Sequence, residues 1–107
     1  MSIEASFDAV ARAFVSQPGI EQDRMLRSAG LRLNGTFFAF ARDDELIVKL
    51  PAARVAELLG TGHGRAFRSG RRTMKEWVAV KPDGVEATAV YVSEARDFVA
   101  SQLKEKR

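Results

Sequence analysis

The chain has 107 residues, 46% of them hydrophobic and 29% charged, with one histidine, no cysteine and a formal net charge of +3. Ordinary apolar content at low net charge excludes a disordered chain, and the length is that of one domain able to bury its own core. The absence of thiols excludes a disulfide scaffold or a cysteine-ligated metal, His63 stands alone for a histidine-ligated one, and no apolar run approaches the ~18 residues of a membrane span.

The first element reads as an amphipathic helix. Ile3, Phe7, Val10, Phe14 and Val15 recur at helical spacing, Ser2 is placed to cap the start, and Pro18-Gly19 ends it. Glu4 and Asp8 stand where a secretory leader needs basic and then apolar residues, so a cytoplasmic protein is expected. Short apolar pieces follow at Met25-Leu26 and Leu31-Arg32-Leu33. Asn34-Gly35 is a strong hairpin dipeptide, because both central residues of a type I′ turn need positive φ. Residues 36–41 are β-branched and aromatic, Asp43-Asp44 makes a second turn, and residues 45–50 alternate as a strand.

Pro51 suits the start of a short helix carrying Val55, Leu58 and Leu59, with Gly60 ending it. A flexible connection through His63 is expected next. Residues 66–68 form a short strand, Ser69-Gly70 a turn, and residues 73–80 a strand with Lys75, Trp77 and Ala79 on one side. Lys81-Pro82-Asp83-Gly84 is a turn. Residues 87–92 read either as a strand before a helix capped by Ser93 or as part of one helix from about Val85. The single helix is preferred, with Tyr91, Ala95, Phe98 and Gln102 on one face and the tail from Lys104 fraying.

The order α-β-β-β-α-β-β-α, with tight turns between strands, predicts one α+β domain over residues 1–107. It is a two-layer sandwich with an antiparallel sheet and the helices on one face. The expected core is Phe7, Phe14, Leu33, Phe38, Phe40, Leu46, Val48, Val55, Leu58, Trp77, Val78 and Phe98.

Little here promises catalysis. His63, between two glycines, has no evident partner to fix its tautomer, and no serine sits in a nucleophile elbow. The glycines at 60, 62 and 64 follow a helix, whereas a phosphate loop follows a strand and opens a helix. Asp43-Asp44-Glu45 lacks the alternating spacing of a calcium loop and reads as a solvated turn. Trp77 and the phenylalanines at 37, 38 and 40 read as core, not as a stacking surface for nucleic acid. No enzyme, metal or cofactor is expected.

The positive charge is concentrated. Residues 63–76 hold Arg65, Arg68, Arg71, Arg72 and Lys75 against Glu76, while the segments on either side are near neutral. Four of these five cations are arginines, whose forks match phosphate geometry better than lysine does, so the five are candidate anion-binding residues. Weak, sequence-independent binding to nucleic-acid phosphates is the alternative to a solvated loop held by Glu76 or the acidic turn.

In order and spacing, Arg24-Met25, Gly30-Leu31, Asn34-Gly35, Phe38-Ala39, Leu46, Lys49-Leu50, Gly62, Phe67, Met74, Trp77 and Pro82 resemble the TfoX/Sxy N-terminal domain family over about residues 3–100. The family usually has Met-Phe-Gly where this chain reads Met25-Leu26-Arg27, so that turn is expected to differ. The resemblance implies an α+β fold and a stand-alone version of a domain that, in regulators of natural competence, precedes a C-terminal one. It supplies no catalytic residues. The expected role is a non-catalytic regulatory or protein-interaction module, and an uncovered sheet face would suit a homodimer or another protein partner.

Overall fold

The computed structural model describes residues 2–25 and 28–105. In chain order the elements are α1 (Ile3–Phe14), β1 (Ile20–Met25), β2 (Ser28–Leu33), β3 (Thr36–Arg42), β4 (Glu45–Lys49), α2 (Ala52–Thr61), β5 (Gly64–Ser69), β6 (Arg72–Val80) and α3 (Gly84–Glu105). The strands form one antiparallel sheet in the order β1-β2-β3-β4-β6-β5. The α+β class therefore holds, with one strand more than the sequence suggests.

That additional strand is β1. Glu21, Gln22 and Asp23 are exposed on it, so it shows no apolar alternation, and it lies at the sheet edge with one neighbour. Leu26 and Arg27, the departure from the family pattern, lie outside the described residues, as do residues 106 and 107 of the tail. Lys104 still belongs to α3.

Local chemistry accounts for the turns and caps. Asn34 and Gly35 adopt φ of 49° and 88°, and Asp43 and Asp44 adopt 52° and 59°, as two-residue hairpins require. Ser2 accepts a hydrogen bond from the Ala5 N–H at 3.1 Å, and the Ile3 N–H donates to Asp44 Oδ1 at 3.4 Å. In α2, Pro51 is the N-cap, and the helix runs through Gly60 to Thr61. Gly62, at φ 80°, closes it in the left-handed conformation, so the connection expected to be flexible is a helix end.

All three helices lie on one face of the sheet. Cross-strand partners Ala39↔Val48, Ala41↔Leu46, Leu46↔Val80 and Val48↔Val78 turn toward them. They pack with Ile3, Phe7, Val10 and Phe14 of α1, Val55 and Leu58 of α2, and Val92, Ala95 and Val99 of α3. The α3 face differs from expectation. The buried positions are 88, 92, 95 and 99, while Tyr91 and Phe98 flank them half-buried. The buried Thr88 hydroxyl is satisfied by donating to the Gly84 carbonyl at 2.7 Å.

Strand β3 breaks its alternation. The register passes from Leu31↔Ala39 to Arg32↔Phe37, leaving Phe38 without a cross-strand partner. Phe38 thereby joins Ala39 and Ala41 in the helix-side core. Phe40, Ile47 and Ala79 turn to the other face, where Phe67 and Trp77 pack against them. The single core expected from the sequence is thus two clusters. Phe40 is buried on the far side, and Trp77 is half-buried beside it.

Candidate functional site

The β5–β6 hairpin carries all five candidate cations. Gly70, at φ 64°, turns the chain, and Arg68↔Thr73 and Ser69↔Arg72 are the last pairs before the tip. Farther in, the register shifts between Ala66 and Arg68. The hairpin therefore bends between its core-packed base and its tip.

The five do not share one environment. Arg65 binds Glu45 through two hydrogen bonds, Nε to Oε2 at 2.9 Å and a second from the other arm of the guanidinium to Oε1. The hydrogen bond from Arg65, more than its charge, holds the Glu45 carboxyl below the usual value for glutamate, against the opposing effect of burial. The same bond raises the Arg65 guanidinium further. Arg65 is thus committed to the fold. Arg68 reaches across the hairpin to the Thr73 hydroxyl at 3.4 Å. Arg68, Arg71, Arg72 and Lys75 are exposed and, among the described residues, pair with no carboxylate. Glu76 forms no ion pair with them. Of the five, the acidic turn holds only Arg65, through Glu45.

Beside the tip lies an aromatic group in which Phe40 and Trp77 are expected from the sequence to be core and Phe67 is not singled out as core. On the sheet face away from the helices, the Phe40 and Phe67 rings meet edge to face at 5.8 Å. Trp77 is tilted against Phe40 at 5.7 Å and against Phe67 at 6.3 Å. The Arg42 guanidinium lies 6.0 Å above Phe40 and 5.6 Å above Phe67, within cation–π range, and only 3.9 Å separates it from Asp43. Phe40, Phe67, Met74 and Trp77 line a recess of about 320 Å³ with Arg42 and Arg68 also on its wall. The aromatic residues come from β3, β5 and β6, far apart in the chain, and the pairing of β6 with β4 brings them onto one patch of the sheet face. Their one signal in the sequence is that Trp77 and Ala79 share a side of the strand alternation.

Other recesses carry less. A larger one, about 790 Å³, runs between α1 and the β3–β4 turn, with Glu4, Asp8 and Asp43 against Arg42. No group of three or more metal-ligating side chains occurs among the described residues. His63 is exposed, and its Nδ1 lies 3.0 Å from the Thr61 hydroxyl two residues away. The Thr61 hydroxyl also donates to the Leu58 carbonyl at 3.3 Å, and among the described residues no carboxylate hydrogen-bonds the His63 ring to orient it as a base. No described helix is long and apolar enough to cross a membrane.

Comparison of the chain with family models, with curated proteins and with solved structures finds no match.

Proposed function

We propose that this chain is a small regulatory module of TfoX N-terminal type that works in the cytoplasm by binding, without catalysis, and that its partner is a polyanion held on the β5–β6 hairpin. The observation that carries this reading is the contrast between Arg65 and its neighbours. Where a carboxylate is within reach, the guanidinium is satisfied in the fold; along the outer part of the hairpin, four exposed cations follow in sequence with none. Such a row suits phosphates, and Arg forks bind them bidentately. The cations sit on strand and turn, with no helix among residues 65–75 to enter a groove, so the contacts are to backbone phosphates and carry no sequence.

The test is a fluorescence titration of a labelled duplex oligonucleotide across several salt concentrations. With about three to four phosphates neutralised, log K is expected to fall against log salt with a slope of roughly −3 to −4. The triple variant Arg71→Ala/Arg72→Ala/Lys75→Ala should lose most of that slope. Equal binding by the variant, or no binding by the wild type at low salt, overturns the reading.

A protein partner, a second copy included, is the other reading, and it is favoured by α3, where Val90 is 64% exposed and Val85 38%. The open sheet face lends it less support. Phe40, Ile47 and Ala79 are no more than 2% exposed there, with Phe67 and Trp77 packed against them.

A further inference from the structure

We infer that the recess between Phe40, Phe67 and Trp77 stacks an unpaired base, so that the polyanion bound by the hairpin is a single-stranded nucleic acid. This rests on the polyanion reading above and adds the class of partner.

Three observations carry it. First, the recess is aromatic on a sheet face that bears no helix, and a half-buried Phe67 and Trp77 present ring surface at its wall. A base in a duplex is already stacked on both sides and cannot enter; an unpaired base can, and every base has a π-face to offer. Second, two arginines, Arg42 and Arg68, line the recess and no carboxylate does, although Arg42 also lies 3.9 Å from Asp43 outside it. A planar group attached to a phosphate satisfies both halves of that lining. An acidic peptide would satisfy only the charges. Third, the positive charge does not stop at the recess. It continues through Arg71 and Arg72 around the turn, which a lone nucleotide in the recess would leave without phosphate and a strand would engage. A volume of about 320 Å³ is small among ligand pockets, which run roughly 300–1,000 Å³, and suits one base at a time.

Trp77 is the only tryptophan, so its fluorescence reports on this recess alone. The experiment titrates the protein with oligothymidylate, a duplex of equal length, thymidine monophosphate, heparin and polyglutamate, following Trp77 emission and, in parallel, binding by anisotropy. Oligothymidylate is expected to quench Trp77 and to bind at least about fivefold more tightly than the duplex. Phe67→Leu, which keeps an apolar cover over Phe40, should lose about fivefold or more of the single-strand affinity with an unchanged salt slope. Phe67→Tyr should restore it. Thermal melts of both variants check the fold, and the wild-type quenching needs no variant.

Equal binding of single strand and duplex with no quenching overturns the inference and leaves the polyanion reading standing. Quenching by heparin or polyglutamate equal to that by oligothymidylate also overturns it, because neither carries a base. Thymidine monophosphate binding as tightly as the strand overturns it in favour of a nucleotide site. Failure of every polyanion to bind at low salt overturns both readings together.

Discussion

Glu45 has the most buried carboxylate of any ion pair among the described residues, with 12% of its side chain exposed against 66% for Arg65. Solvent reaches the guanidinium and screens the pair, so its contribution is modest, about 1 kcal/mol. Its pH dependence has a definite sign. The folded carboxyl ionises below the ordinary glutamate value of 4.5, so its contribution is whole above that value. It is lost as pH falls through the lowered folded value. Glu45→Gln is therefore expected to cost about 1 kcal/mol at pH 7 and progressively less below about pH 4.5, approaching nothing once wild-type Glu45 is protonated. Urea denaturation of both proteins at pH 7 and across the acid range measures this. A difference that persists undiminished in acid would show that the amide fails at this position for a steric reason.

At the scale of elements, two glycines four residues apart behave oppositely. Gly60 lies inside α2, its φ is not positive, and a Cβ there would meet nothing within 4 Å. Gly60→Ala should stabilise the protein by about 0.5–1 kcal/mol, through better helix propensity and a less free unfolded chain. Gly64 opens β5, and a Cβ there would stand 2.7 Å from Val78 Cγ2 and 3.1 Å from Leu58 Cβ. Both neighbours are buried, so Gly64→Ala should destabilise by about 1–3 kcal/mol. Urea midpoints moving the same way for both would contradict this account of how α2 approaches β6. Nothing in the spacing of glycines at 60, 62 and 64 distinguishes them; only the packing of α2 over the hairpin does. The turns are more legible. Asn34-Gly35 and the acidic pair at 43 and 44 announce hairpins by their own backbone preferences. Strand β1 is hard to read for a related reason: its polar middle has no burial pattern, and edge pairing leaves no other trace. In α3, Tyr91 and Phe98 stand out by size, but the smaller Thr88, Val92, Ala95 and Val99 form the buried stripe.

Across the whole molecule, the sheet has a firm middle and looser margins. Strands β3 and β4 are paired on both sides and lie beneath α1 and α3. Residues 77–80 of β6 pair with β4, and residues 78–80 also with β5, whereas Arg72 and Thr73 pair with β5 alone. Native-state hydrogen exchange should therefore be slowest in β3, β4 and the second half of β6, and fast at the tip of the β5–β6 hairpin and in β1. Uniform protection along β6 would argue that the tip is held by contacts other than those described. This level of organisation is the least visible from the chain. Local turn chemistry predicts a hairpin, but it does not say that β6 lies between β4 and β5. The aromatic cluster follows from that insertion, which is why Phe40 and Trp77 read as ordinary core residues.

The hairpin tip also stands apart from the contacts that hold the fold together. Arg68, Arg71, Arg72 and Lys75 are exposed, and the residues that hold the sheet together lie elsewhere. Changes of charge at those four positions would be nearly invisible to folding, since surface substitutions away from packed features usually shift stability by about 0.5 kcal/mol or less. Selection on folding has little grip on the tip, so descendants of one ancestor are free to trade its arginines for neutral or acidic residues while keeping the scaffold whole. For this architecture, kinship in shape is then poor evidence of a shared ligand, and the few residues around the turn at Gly70 are the ones to compare first.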